Sequence, residues 1–403
     1  VPRLPESLTV LRQRDFRLLF GAYAVSVLGD RMVTIALAFA VLHLGGSASD
    51  VGIVLAARTL PLVASLLIGG VVADRMSRRT VMVAADVARL ATQGLLGALL
   101  IAGEPSIAVI AALSGLSGLA TGFFEPASTG LMPVVVAPER LQQANGLRAT
   151  AMAGGEIAGP VLAGALVAAA GAGYALAVDA ATFGISALLL AGLRLPPRVR
   201  REASTFIADL KDGWDAFRSR AWVWSIVASA SIGNVLWGSW SSLGPVVAEA
   251  DLGGAAVWGG VLGAMGVGAF AGAVAGIRVR PRRPLVLASL AFSLFAAPVA
   301  MLAAGVPAPL VAAGALLAGG GMMLGGSIWE STLQRRVPAE SLSRVSAYDW
   351  FGSLAFRPLG LIIWGPIAAA IGLHTALWVA AVLLFTTILA PLAVREVRTM
   401  RDD

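Results

Sequence analysis

The chain has 403 residues, 58% of them hydrophobic and only 13% charged, with a mean hydropathy of +0.83. Soluble domains carry about 25% charged residues, so this much apolar surface has no water-soluble core to hide in, and a polytopic membrane protein is expected. The net charge of +7 comes without a basic stripe interleaved with aromatics, which argues against nucleic acid, while the absence of Cys and the presence of only His43 and His374 argue against disulfides and any metal site.

In chain order, residues Val1–Glu6 show no signal-peptide pattern. Leu8–Arg17 reads as a basic amphipathic segment on the cytoplasmic surface. Twelve apolar spans follow, at 16–44, 49–73, 80–103, 106–136, 141–170, 172–193, 221–248, 254–277, 284–305, 307–334, 342–371 and 373–394. Each is close to or above the ~20 residues that a bilayer requires. Arg31, Arg58, Arg89, Arg148 and Arg357 lie inside spans. The remaining basic residues fall at the termini, in inner loops or at inner span ends, whereas Asp50, Glu104, Glu249 and Asp251 occupy the outer loops. That asymmetry places both termini in the cytoplasm, in a bacterial inner membrane.

Residues 194–220 form the only long polar stretch, with Phe206, Leu210, Trp214 and Phe217 at helical spacing. The expected organisation is a six-helix half over 1–193, a cytoplasmic linker over 194–220 and a second half over 221–403. A shift of 201 residues superposes Glu139, Gly159, Gly164 and Gly171 on Glu340, Gly360, Gly365 and Gly372, an internal repeat.

Between the second and third spans the sequence runs Gly70-x3-Asp74-Arg75-x2-Arg78-Arg79. This spacing resembles the loop between helices 2 and 3 of the major facilitator superfamily. The resemblance implies an all-α fold of two pseudo-symmetric six-helix halves, with this loop as a cytoplasmic latch between them. The fifth span carries Gly146-x8-Gly155-x3-Gly159-Pro160-x2-Ala163-Gly164, which is similar to the helix-5 motif of the superfamily's antiporters. Gly155, Gly159 and Ala163 make a ridge of small residues. Its expected partner is the eighth span, with Gly259, Gly263, Gly268, Gly272 and Gly276, as an outer seal. Arg14-Asp15-Phe16-Arg17-Leu18-Leu19-Phe20, Leu28-Gly29-Asp30 and Pro138-Glu139-Arg140-Leu141 resemble the drug-exporter branch that includes macrolide efflux pumps and siderophore exporters.

Ionisable residues inside spans are costly and are functional candidates. Asp30 in span 1 and Glu125 in span 4 lie on helices that the resemblance implies line the cavity, where a poorly solvated carboxylate can exchange a proton. Glu125 ranks first, because Phe123, Phe124 and Pro126 surround it and no cation is close in sequence; Glu156 is the reserve. A structural ion pair with Arg58 or Arg148 is the competing reading for these acids. Asp86 and Arg89 are expected to pair locally, and Asp179 to anchor a span end. Arg31, Phe123, Phe124, Trp237, Trp240, Trp329, Trp350 and Arg357 are candidates for the substrate cavity, with Trp222 and Trp224 as interface anchors.

No Gly-x4-Gly-Lys-Ser/Thr loop is present, so ATP is not the expected driver. The expected function is proton-coupled export of hydrophobic or cationic drug-like molecules by alternating access, without enzyme activity, cofactor or metal, by a monomer in the lipid bilayer. The alternatives are an importer of a small polar nutrient and a non-transporting receptor or scaffold on the same fold.

Overall fold

The computed structural model describes residues 10–137, 140–195, 214, 217–338, 345–346, 348–349, 351–353 and 355–401, and every regular element among them is helical. Two compact units divide the chain, Val1–Arg200 and Arg201–Asp403. The N-terminal unit holds α1 (Arg14–His43), α2 (Ala48–Arg75), α3 (Arg78–Ala102), α4 (Ile107–Val135), α5 (Leu141–Ala170) and α6 (Ala172–Ala191). Their ends follow from local chemistry. Ser47 and Asp50 form a reciprocal capping box at the start of α2, the Ser47 N–H donating to Asp50 Oδ2 at 2.8 Å. Ser106 accepts from the Val109 N–H at the start of α4. A single residue, Gly171, turns α5 into α6 with φ +95°, a conformation that favours glycine.

The C-terminal unit holds α7 (Ala221–Val247), α8 (Ala255–Arg278), α9 (Pro284–Ser293), α10 (Ala296–Ala303), α11 (Ala308–Arg336), α12 (Arg357–Ile371), α13 (Leu373–Leu389) and the short α14 (Arg395–Thr399). The ninth predicted span is broken into α9 and α10 at Leu294–Phe295. Pro298 explains the break, because it cannot donate to the carbonyl four residues earlier. Gly372 joins α12 to α13 with φ +89°. It stands 201 residues after Gly171, so the repeat extends to backbone conformation.

Eleven helices among the described residues are long and apolar enough to cross a membrane. The remaining predicted span, α7, is 27 residues long and lacks charged residues, but its Trp, Ser and Asn residues lower its hydropathy. Leu188, 77% exposed, and Ile277, 74% exposed, show that apolar side chains cover the outside of the helices, as lipid requires. Leu8–Arg17 is not a separate surface segment in its described part, because α1 already begins at Arg14. Of the proposed linker helix only Trp214 and Phe217 are described; Phe206 and Leu210 lie outside the described residues.

Helix pairing is the same in both units. In the first, α1 packs on α5 and α6, α2 on α4, and α3 on α4 and α6; in the second, α7 packs on α12 and α13, α8 on α11, α9 on α11, and α10 on α13. Missing side chains allow the close approaches. A Cβ on Gly115 would lie 3.2 Å from the Ala57 carbonyl oxygen of α2, and one on Gly276 would lie 3.1 Å from Ser327 Cβ of α11. Cβ atoms on Gly268 and Gly272 would run into the Leu316 and Gly320 carbonyls of α11.

Glycines expected to form a seal between spans 5 and 8 make close approaches inside their own units. Gly268, Gly272 and Gly276 of the eighth span face α11, inside their own unit. The fifth-span ridge is also committed: a Cβ on Gly155 would lie 2.7 Å from Val27 Cγ1, and one on Gly159 would lie 2.5 Å from Arg31 Cβ. The ridge therefore lets α1 approach α5.

Candidate functional site

Among the described residues, three groups of ion pairs join different helices of α1 to α6. In the first, Asp30 of α1 receives Arg58 of α2 at 3.0 Å and Arg89 of α3 at 3.3 Å. Arg89 also pairs with Asp86 one turn earlier on α3, and Ser186 of α6 donates to the second Asp86 oxygen at 2.6 Å. The Arg89 guanidinium lies 4.3 Å from the Phe124 ring centroid and 4.1 Å from that of Phe183, a cation–π arrangement on both rings. Arg89 and Asp86 are fully buried. A charge is tolerated in such a place only when paired and hydrogen-bonded, and these contacts supply both conditions. One turn beyond Arg89, Gln93 is buried with neither amide atom bonded among the described residues.

The second group joins α4 and α5. Arg148 reaches Glu125 at 3.4 Å and Thr129 Oγ1 at 3.4 Å, and lies 4.4 Å from the Tyr23 ring centroid. The third joins α1 and α5, with Arg31 at 3.1 Å from Glu156. Adjacent Asp30 and Arg31 thus serve different partners, as their ~100° separation around a helix allows.

No cation is close to Glu125 in sequence, but the competing reading, an ion pair with Arg148, is what the structure shows. Arg148, 23 residues away on the next helix, supplies a cation, and the Glu125 side chain is 44% exposed. Asp30 is the more enclosed acid, at 21% exposed. Asp179 corrects the sequence reading more sharply. It is fully buried within α6, not at a span end, and neither carboxylate oxygen has a hydrogen-bond partner among the described residues. The available signal was its place eight residues into a predicted span.

Asp74 and Arg75 end α2, but the side chains of both, and the surroundings of Gly70, lie outside what is described. Arg78 and Arg79 start α3 and act inside the N-terminal unit. Arg78 donates to the Gly130 carbonyl near the end of α4, and Arg79 donates to the Leu193 carbonyl beyond α6 at 2.9 Å. In the antiporter motif, Pro160, Ala163 and Gly164 are buried, whereas Gly146 is exposed.

Of the aromatic candidates in the second unit, Trp240 and Trp329 are buried and Trp237 is half-buried. Trp237 stacks on Phe295 with centroids 3.5 Å apart, and Trp240 packs 4.7 Å from Trp258. Trp329 donates its indole N–H to Asp349 at 2.9 Å and meets Trp222 edge-on. Trp222 is therefore buried in the core, whereas Trp224 is exposed as expected of an interface anchor. In the first unit, Phe124 is buried under Arg89, and Phe123 is half-buried. Arg357 opens α12, exposed, just before Pro358. Trp350 lies outside the described residues. No group of three or more potential metal-ligating side chains occurs among the described residues.

Repeated pairings of long apolar helices, with charges paired inside them, define a polytopic membrane protein. A sequence model of the Major Facilitator Superfamily matches residues 19–354, and the chain belongs to that superfamily. The multidrug efflux pump Tap of Mycolicibacterium fortuitum is 30% identical over 380 residues, covering 89% of this chain and 90% of its own. The pump of the same name from Mycobacterium tuberculosis is 27% identical over 387 residues, covering 89% and 88%. Among solved structures, the nucleoside transporter NupG superposes with a TM-score of 0.70 at 15% identity, over 96% of this chain and 100% of its own. A POT family transporter in complex with a thioalcohol-conjugated peptide gives 0.75 at 10%, over 96% and 97%. At such identities these structures share the fold alone.

Proposed function

We propose that this transporter exports hydrophobic or cationic drug-like molecules across the cytoplasmic membrane, with both termini inside, and that inward proton flow drives export by alternating access. Relatedness to the Tap efflux pumps over nine-tenths of the chain supports the substrate class and direction. One observation carries the proton coupling: the spans of the N-terminal unit hold the carboxylates Asp30, Glu125 and Glu156, each paired with an arginine of another helix and each partly exposed. A carboxylate that water reaches and a guanidinium holds can exchange its partner for a proton as its surroundings change. Asp30 and Glu125 are the coupling acids and Glu156 the reserve. The monomer needs no cofactor for this cycle.

Cells expressing the protein should accumulate less of a fluorescent cationic dye than cells with an empty vector, and lose that difference when a protonophore is added. Higher accumulation in the expressing cells would mean import.

A further inference from the structure

The N-terminal unit holds more acid at its centre than its arginines can neutralise. Asp30 and Asp86 already engage Arg58 and Arg89. Asp179 adds a third carboxyl group, fully buried and without a hydrogen-bond partner among the described residues. It lies against α1 at the residue before Asp30: a Cβ built on Gly29 would lie 2.5 Å from Asp179 Oδ1. Gly29 leaves the carboxyl room against α1, and Thr182 fills the rest of that space, although its hydroxyl donates to the Asp179 backbone carbonyl rather than to the carboxyl. The ionisable groups in the middle parts of the surrounding helices include Tyr23, Asp30 and Arg31 on α1, Arg58 on α2, Asp86 and Arg89 on α3, and Arg148 and Glu156 on α5. Arg31 is occupied by Glu156. A carboxylate anion left bare in such a place is heavily penalised, whereas a neutral acid, or an anion met by a guanidinium, is not.

We propose that Asp179 is the inner member of a two-acid proton exchange with Asp30. In the arrangement described, Asp30 is the anion and holds Arg58 and Arg89, while Asp179 is the neutral acid. In the alternate arrangement a guanidinium turns to Asp179, which gives up its proton as Asp30 takes one. One O–H bond breaks and one forms, so the charge of the cluster is unchanged. Asp30, at 21% exposed, is the member that meets water. The pair would thus link movement of α1 against α6 to passage of a proton from Asp179 to Asp30, from which water can take it. This inference rests on the proton-driven reading above.

The test has two readouts on the purified full-length protein. Infrared difference spectroscopy across a pH titration should show the carbonyl band of a buried carboxylic acid in the wild type, and Asp179→Asn should lack it. In proteoliposomes with ethidium as probe, Asp179→Asn should lose the pH-gradient-driven component of flux, and Asp179→Glu should restore it in part. An infrared band unchanged in Asp179→Asn overturns the exchange and leaves proton coupling in place. A wild type whose flux ignores the pH gradient, with the band still lost in Asp179→Asn, overturns proton coupling and the exchange with it. Should Asp179→Asn fail to insert, Asp179→Glu decides by the band alone: a shifted band is expected, and an unshifted one contradicts the assignment.

Discussion

Gly159→Ala tests the contact between α1 and α5 with a single added carbon. That Cβ would lie 2.5 Å from Arg31 Cβ and 3.1 Å from the Leu28 carbonyl oxygen. Carbon atoms pack best at about 3.5–4.0 Å, so α1 must retreat from α5 by about 1 Å. Overpacking of this kind costs about 1–3 kcal/mol. Against it stands the preference of a helix interior for Ala over Gly, about 1 kcal/mol. The net expectation is a loss of roughly 1 kcal/mol. Separation of the Arg31–Glu156 pair adds little, because both side chains are about two-fifths exposed. Gly146→Ala is the internal control on the same helix. A Cβ there meets nothing within 4 Å, so only the helix preference acts, and a gain of up to about 1 kcal/mol is expected. Reversible unfolding in mixed micelles should therefore give shifts of opposite sign for the two substitutions. Equal shifts, or a stabilised Gly159→Ala, would refute the close approach of α1 and α5.

Further substitutions probe other parts of the N-terminal unit. Asp86→Asn keeps the bond from Ser186 but removes the nearest counter-charge of buried Arg89. It should destabilise by about 3 kcal/mol, and a denaturation midpoint unchanged from wild type would count against the pairing. Arg78→Ala removes a charge-assisted bond to the Gly130 carbonyl, worth about 1.5 kcal/mol. Amide exchange should then quicken near the C-terminal end of α4 and not near its N-terminal end. Arg148→Gln leaves Glu125 without the cation that faces it, so dye flux in this variant should follow pH differently from wild type, whereas a superimposable pH profile would separate Glu125 from coupling.

The helical frame was legible because each span is a long apolar segment with its charges at one end. Starts and stops at Leu141, Ala172 and Ala221 fall where apolar runs meet Gly or Arg. Partner choice was not legible. The glycines of the fifth and eighth spans announce close packing, but their spacing does not say against which helix, and the structure turns them to α1 and α11. Charge is the exception: the competing reading paired these acids with Arg58 or Arg148, and the structure gives Arg58 to Asp30 and Arg148, 23 residues away, to Glu125. The local Asp86–Arg89 pair was visible because three residues bring two side chains together on one helix face. Asp179 was misjudged because its burial depends on where α1 and α3 cover α6, which a hydropathy profile does not encode.

The most direct measurement is ethidium accumulation in proteoliposomes with an acidic lumen, comparing wild type with Glu125→Gln and Asp30→Asn. Proton-driven export predicts that wild type concentrates the dye in the fraction of molecules facing outward with their cytoplasmic side. It also predicts that an ionophore collapsing the gradient abolishes the accumulation, and that at least one carboxamide variant equilibrates dye without concentrating it. Accumulation that survives the loss of the gradient, or that persists in both variants and in their combination, would contradict proton coupling through these acids.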